Sequence, residues 1–168
     1  LSQNFFAVQN ETDRNDSGRG LVILGNGKGE FKSYPGHESG ILVYGEQRGS
    51  AFADYNMDGK TDIVITQNGA QTKLYQNDGA KPGLRVRLRG PKLNPFSFGA
   101  KVRVQYVDGS LGPIREIQSG SGYWSQNSPV QVMGIKKNVT HIKIQWPDGS
   151  RATEPFKGNN LTVTFSDR

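Results

Sequence analysis

The sequence of 168 residues contains no cysteine. Without cysteine there can be no disulfide framework, no thiolate nucleophile and no cysteine-ligated zinc or iron–sulfur centre. Long apolar runs are missing too, because continuous runs such as 21–24 and 63–65 are only strand-sized, far short of the roughly 20 apolar residues that cross a bilayer. The sequence therefore predicts no membrane span, and a secreted chain of this composition must be held together by its core or by metal ions.

Helical periodicity is also missing, since nowhere do apolar residues keep an i, i+3, i+4, i+7 spacing over three turns. Glycine, in contrast, is abundant, with 22 residues in short clusters between apolar stretches. This alternation of glycine clusters with short apolar stretches is typical of an all-β protein. Strand-like runs lie at 21–24, 41–44, 50–55, 62–66, 72–76, 84–89, 100–107, 114–119, 130–134, 141–146 and 161–165.

Two kinds of strand divide the chain near residue 80. Before it, runs such as 21–24 are apolar at successive residues, which predicts strands buried on both faces. After it, apolar and polar residues alternate strictly, as in 84–89, which predicts strands with one buried and one wet face. We expect a piece of a stacked array in residues 1–80 and a small antiparallel β-sandwich in residues 81–168.

A faint repeat supports an array in the first part. Residues 22–29 and 73–79 share an apolar strand followed by an Asn and Gly turn, at a spacing near the roughly 40 to 50 residues of a propeller blade. The chain also begins with Leu1 and shows no signal-peptide pattern. We therefore expect one to two blades, the first one cut, and upstream blades of the same polypeptide as a partner.

The segment 54–62 has the spacing of a calcium loop. Oxygen-bearing side chains stand at positions one, three, five and nine, with glycine at position six, and calcium takes six to eight oxygen ligands at about 2.3 to 2.6 Å. Three carboxylates in one short loop would repel each other without a cation. The alternative is an Asx-rich turn that binds no metal. The predicted ligands are Asp54, Asn56, Asp58, Asp62 and the carbonyl of Lys60.

The acidic loop and the strands on either side of it resemble the repeat unit of a known family. The string Ala-Asp-Tyr-Asn-Met-Asp-Gly-Lys-Thr-Asp-Ile-Val-Ile at 53–65, followed by Leu-Tyr-Gln-Asn-Asp-Gly at 74–79, resembles an FG-GAP/VCBS repeat, the blade unit of integrin-α-like β-propellers. An EF-hand is not expected, because the flanks read as strands and position twelve is Ile65 instead of glutamate. The resemblance implies a calcium ion that braces the blade, held by the same ligands.

Four segments of the second part carry another resemblance: 84–90, 98–104, 120–126 and 144–149. They are similar to the ASPIC/UnbV domain, which follows FG-GAP repeats in cartilage-acidic-protein-like proteins and in many bacterial secreted proteins. The segment 130–135 departs from the His-Phe-Gly-Leu type expected there. The family firmly implies no enzymatic activity.

Two sets of residues are candidates for ligand binding. In the loop 120–127, Tyr123 and Trp124 could form a platform for a sugar ring while Ser125 and Gln126 bond its hydroxyls; the alternative is an aromatic plug at the end of the sandwich. The second set consists of Arg85, Arg87 and Arg89, joined by Lys101 and Arg103 if their strands are adjacent.

The arginine set could form a basic stripe for an acidic polysaccharide, in keeping with the net charge of +6. The alternative is a solvated sheet face. Nucleic acid is not expected as a partner, because aromatic residues do not interleave with the stripe and no nucleic-acid motif is present.

Catalysis finds little support in the sequence. His37 and His141 stand in unrelated contexts, and no Gly-x-Ser-x-Gly elbow is present. We predict no catalytic residue. The preferred hypothesis is a secreted or cell-surface binding or adhesion module with structural calcium and a protein or glycan ligand, in the periplasm or on the outer-membrane surface if bacterial. The alternatives are a carbohydrate-binding module of a polysaccharide-degrading system and part of an enzyme whose active site lies upstream.

Overall fold

The computed structural model describes residues 1–3, 10–11, 13, 18–135 and 138–165. These residues form four sheets and one short helix, α1 (Gly36–Ser39), which confirms the predicted all-β class. The strands are β1 (Val22–Gly25), β2 (Phe31–Tyr34), β3 (Glu46–Ala53), β4 (Asp62–Asn68), β5 (Lys73–Tyr75), β6 (Leu84–Arg89), β7 (Lys101–Tyr106), β8 (Arg115–Glu116), β9 (Gln131–Met133), β10 (Val139–Gln145), β11 (Arg151–Pro155) and β12 (Asn160–Thr164). No helix among the described residues has the length and apolar character that a membrane crossing needs.

The chain separates into two compact units. Unit 1 comprises Leu1–Ala51, Ile63–Gln76 and Gly122–Ser125, and unit 2 comprises Phe52–Asp62, Asn77–Ser121 and Gln126–Arg168. The acidic loop 54–62 therefore groups with the C-terminal part of the chain. The domain boundary near residue 80 stays a prediction.

Unit 1 contains the ribbon β1-β2 and most of the sheet β3-β4-β5. The prediction that β1 is buried on both faces is wrong, because Ile23 is 40% and Leu24 is 54% exposed. A two-stranded ribbon has little surface with which to cover two faces. The predicted strand at 41–44 is also absent. Val43 is buried there, but its N–H donates to the carbonyl of Arg19 at 2.9 Å and no ladder follows.

Unit 2 is a sandwich of the sheets β11-β10-β7-β8 and β12-β6-β9, which share one core. The apolar members of the alternating strands point into it, as predicted, and each such side chain contributes about 1.5 to 3 kcal/mol when fully buried. The most buried of these residues are Leu84, Val86, Val102, Val104, Ile142 and Ile144.

One strand pair of the sandwich differs from the antiparallel prediction. β12 runs parallel to β6, with Thr162 opposite Arg87. The chain crosses from the four-stranded to the three-stranded sheet between β11 and β12, and such a crossover permits a parallel pair where a hairpin would not.

Two strands, β2 and β11, were not predicted, because their sequences Phe-Lys-Ser-Tyr and Arg-Ala-Thr-Glu-Pro lack an apolar run. β11 is an edge strand, and its pairing comes from the hairpin after β10. Gly149 adopts the φ of 89° that this turn requires, and an Asp-Gly pair such as 148–149 is typical of hairpin turns.

Candidate functional site

The acidic loop 54–62 connects β3 to β4 through a sharp turn. Met57 and Gly59 have φ values of 63° and 81°. A β-carbon on Gly59 would lie 3.1 Å from Cβ of Pro82 and 3.3 Å from the carbonyl oxygen of Gly83. Position six of the loop therefore needs glycine both for its backbone conformation and for the close approach of residues 82–83.

Asp54 is the most deeply placed carboxylate of the loop, with a side chain 1% exposed. Its Oδ2 accepts hydrogen bonds from Nε of Arg85 at 2.6 Å and from the N–H of Gly59 at 2.9 Å. Its Oδ1 is buried and has no hydrogen-bond partner. Because buried polar atoms in native proteins are nearly always bonded, this oxygen can accept a water molecule or bind a cation.

Asp58 lies on the outer part of the loop beside Lys60. Oδ1 of Asp58 accepts the N–H of Lys60 at 2.9 Å, and Oδ2 lies 3.7 Å from Nζ of Lys60. Asn56 accepts the N–H of Asp58 through Oδ1 at 3.2 Å. These Asx-type bonds hold the three side chains on one turn.

Asp62 closes the loop from its far end. The residue is 2% exposed. Its Oδ2 accepts the N–H of Tyr55 at 3.2 Å, and its Oδ1 accepts the N–H of Asn77 at 2.8 Å. Asp62 therefore joins the start of the loop to the segment that follows β5.

The loop gathers all five predicted ligand residues on one turn, with two cations beside them. Asp54 pairs with the guanidinium of Arg85 and Asp58 lies near the ammonium of Lys60, whereas Asp62 accepts backbone N–H groups. The three carboxylates and two cations leave one negative charge in excess (3 − 2 = 1). Within the described ranges, no group of three or more His, Asp or Glu side chains is assembled closely enough to hold a metal ion by itself. A bound cation would need the amide of Asn56 and backbone carbonyls as further ligands.

Tyr123 and Trp124 of the loop 120–127 belong to unit 1 and stack on each other. Their ring centroids are 5.3 Å apart and their planes differ by 9°. The residues are 60% and 78% exposed, so neither ring is a buried plug. Trp124 has a φ of 49°, a conformation that bulky residues rarely adopt.

The same loop lies against β3. The guanidinium carbon of Arg48 lies 5.8 Å from the centre of the Trp124 ring, and a β-carbon on Gly49 would come within 2.9 Å of the carbonyl oxygen of Trp124. Of the other two predicted ligand residues, Ser125 is half-buried and Gln126 is exposed.

A polar pocket of about 250 Å³ lies within unit 2 and was not predicted. Asp54 lines it, and Arg115 and Glu116 contribute the charged groups of β8. The N–H of Phe52 donates to Oδ1 of Asn127 at 2.9 Å, which fixes one wall. The sequence carries no spacing signal for this pocket, since its walls come from distant segments.

The predicted basic stripe is not continuous. β6, with Arg85, Arg87 and Arg89, lies in the three-stranded sheet, whereas Lys101 and Arg103 lie on β7 in the four-stranded sheet. Arg85 is tied to Asp54, and the other two arginines are exposed on β6. The alternating pattern gave the correct face of each strand but carried no information on which strands are neighbours.

The four-stranded sheet instead gathers a different set of cations. Lys143 on β10 lies opposite Arg103, and Gln145 lies between Lys101 on one side and Arg151 on the other. Together these four cationic side chains line a groove of about 380 Å³. The sequence pattern did not indicate Lys143 and Arg151 as members of a basic surface.

The two histidines lie in different units. His37 is on α1, with a side chain 80% exposed, 3.8 Å from the carboxylate of Glu38. His141 lies on β10, on the same face of the sheet as Lys143.

Comparison with known proteins bears on the C-terminal part of the chain. Residues 90–165 match the family model described as ASPIC and UnbV. The chain is 30% identical over 110 residues to cartilage acidic protein 1 of Xenopus tropicalis, covering 62% of this chain and 17% of that protein. It is 31% identical over 111 residues to the Homo sapiens protein, covering 62% and 16%, and 30% identical over 123 residues to the Mus musculus protein, covering 70% and 19%.

The chain thus spans less than a fifth of the length of these curated relatives. The comparisons support the ASPIC/UnbV resemblance for the C-terminal part. The FG-GAP/VCBS resemblance of the first part stays a prediction.

Proposed function

We propose that this chain is a non-catalytic extracellular binding module in which the loop 54–62 holds a structural calcium ion. The observation that carries the proposal is Oδ1 of Asp54, which is buried without a hydrogen-bond partner. An unsatisfied buried acceptor costs about 1 to 3 kcal/mol, and more when it is charged. A cation at this oxygen would remove that cost.

The chemistry of the donors fits a hard cation. Carboxylate, amide and carbonyl oxygens are the ligands that calcium prefers, and the loop offers them from Asp54, Asn56, Asp58, Asp62 and the Lys60 carbonyl. A bound calcium ion would change the charge of the cluster from one negative to one positive (2 − 1 = 1) and would tie the end of β3 to the start of β4. The resemblance to an FG-GAP/VCBS repeat agrees with this assignment.

The extracellular and non-catalytic parts of the proposal have separate support. The relatives are named for cartilage, which favours an extracellular location. The ASPIC and UnbV family that residues 90–165 match implies no particular enzymatic activity, which favours a binding role over a catalytic one.

Thermal unfolding with and without calcium tests the proposal. At one hundred times its dissociation constant, calcium should stabilise the native state by about 2.7 kcal/mol, which corresponds to a rise in Tm of about 5 to 10 °C for a chain of this size. Asp58→Asn should abolish most of that rise. Asp108→Asn, which removes the same charge from a turn outside the loop, is the matched control and should retain it. An equal Tm in calcium and in chelator would contradict the proposal.

A second candidate function is a carbohydrate-binding module, favoured by the exposed Tyr123–Trp124 stack. Backbone strain of the kind found at Trp124 often accompanies a functional site, and a flat aromatic surface suits the apolar face of a sugar ring. Binding on a glycan array that Trp124→Ala abolishes would support it. Phe31→Ala, which removes another exposed aromatic ring of unit 1, should leave the binding unchanged.

A further inference from the structure

The outer face of the four-stranded sheet places like charges directly against each other. Arg103 on β7 is the register partner of Lys143 on β10, and directly opposed residues have β-carbons about 4.5 to 5.5 Å apart. Like charges in this position destabilise a sheet. Neighbouring carboxylates or an anionic ligand would relieve this repulsion.

Carboxylates supply little of that compensation. Glu116 pairs with Lys101 at 4.0 Å, which sets one described carboxylate against the four cations of the groove and leaves a surplus of three positive charges (4 − 1 = 3). Glu154 on β11 is the register partner of Ile142, a core residue, and so belongs to the opposite face of the sheet.

The two central cations are held in place by neutral acceptors. Nε of Arg103 donates to the carbonyl of Gly112 at 3.1 Å, and Nζ of Lys143 donates to Oγ1 of Thr153 at 3.2 Å. These bonds orient the side chains without neutralising them. Lys and Arg have further N–H donors that can bond an anion.

The groove is open and has apolar residues at its rim. Leu111 is 45% and Ile114 is 54% exposed, and both line it together with the four cations. Cations about 5 Å apart across strands and about 7 Å apart along a strand match a ligand that carries several negative charges. A rim of this kind can also contact the apolar faces of sugar rings.

We infer that the groove formed by Lys101, Arg103, Lys143 and Arg151 binds an acidic polysaccharide. The ligand class rests on the proposed extracellular function, because sulfated and uronate-bearing chains are the polyanions of that compartment. The described lining holds no aromatic ring for stacking bases, which disfavours single-stranded nucleic acid.

Calorimetric titration of the 168-residue chain with heparin in 150 mM NaCl tests the inference. Arg103→Gln with Lys143→Gln should weaken binding at least tenfold. Arg87→Gln with Arg89→Gln removes the same charge from the exposed face of β6 and should change the dissociation constant less than threefold. Lys101→Gln with Arg151→Gln gives a second groove variant, which keeps the test valid if the first variant unfolds by circular dichroism.

The other outcomes of these titrations would overturn the inference or the class of ligand that it assigns. No measurable heparin binding, or equal weakening by groove and control variants, would overturn the inference. A DNA duplex that displaces heparin at equal charge concentration would overturn the assignment to polysaccharide. The heparin titration is run in chelator, and the effect of calcium on Tm is measured separately, so the two proposals can fail independently. Heparin binding without an effect of calcium on Tm refutes only the calcium site. An effect of calcium on Tm without heparin binding refutes only the proposal for the groove.

Discussion

Nε of Arg85 lies 2.6 Å from Oδ2 of Asp54, and this contact joins strand β6 of the sandwich to the acidic loop. The two side chains are only 17% and 1% exposed. Removing one partner of a buried ion pair leaves the other charge buried and unpaired, which is far more costly than losing a surface pair. The contact therefore makes the loop part of the same folding unit as the sandwich core.

Replacement of Arg85 by alanine should lower the free energy of unfolding by about 3 kcal/mol, measured by urea denaturation in chelator. Arg87→Ala on the same strand is exposed and should change it by less than about 0.5 kcal/mol. If calcium binds the loop, it should restore part of the loss in Arg85→Ala, because a cation then again opposes Asp54. Equal stability of the two variants would refute the assigned role of the pair.

Replacement of Asp62 by alanine should destabilise unit 2 by about 2 to 5 kcal/mol, because the N–H groups of Tyr55 and Asn77 both lose their acceptor. Asp62→Asn keeps one acceptor oxygen and should lose less. Denaturant midpoints of the two variants in chelator measure the difference. A smaller loss in the alanine variant than in the asparagine variant would contradict the hydrogen-bond argument.

Gly59→Ala should cost about 1 to 3 kcal/mol, since the residue has a φ of 81° and its new β-carbon would press on residues 82–83. Gly109→Ala is the matched control, because Gly109 has a φ of 78° but open space around it. It should lose only the backbone contribution, about 1 kcal/mol. Thermal unfolding of both variants isolates the steric part, and identical losses would show that residues 82–83 move aside.

The turn between β10 and β11 contains Asp148, whose carboxyl has a lowered pKa that a titration can test. The hydroxyl of Ser150 and then its backbone N–H, at 2.7 and 2.9 Å, lower the pKa of Asp148 below its ordinary value. A carboxyl with a lowered folded-state pKa contributes stability above its unfolded pKa and loses it as the pH falls through the folded value. Ser150→Ala should raise the pKa of Asp148, measured by NMR titration. An unchanged pKa would refute the role of the hydroxyl.

The sequence predicted the sandwich strands well because burial of one face imposes a period of two. Leu84 and Val86 are fully buried, as the alternation required. The sequence pattern did not predict β11, which is an edge strand without an apolar run. An edge strand takes its pairing from the neighbouring strand and turn, so its own sequence needs no strong signal.

Each candidate site also has features that local sequence predicts and features that it does not predict. The clustering of the residues in the loop 54–62 could be predicted, because they form their contacts within one short segment, whereas their role as calcium ligands stays a prediction. The partner Arg85 lies 31 residues from Asp54, and the opposition of Arg103 and Lys143 depends on sheet register. Neither relationship is encoded in local spacing, so neither could be read from one sequence.

The parallel pairing of β12 with β6 has a consequence for synthesis of the chain. The pair Asn160 and Arg85 closes the sheet across 75 residues (160 − 85 = 75). Until the ribosome has released β12, one edge of β6 has open hydrogen-bonding groups that another strand could occupy. Such late, non-local closure slows folding. The sandwich is therefore most vulnerable to misassembly in the interval between the synthesis of β6 and the synthesis of β12.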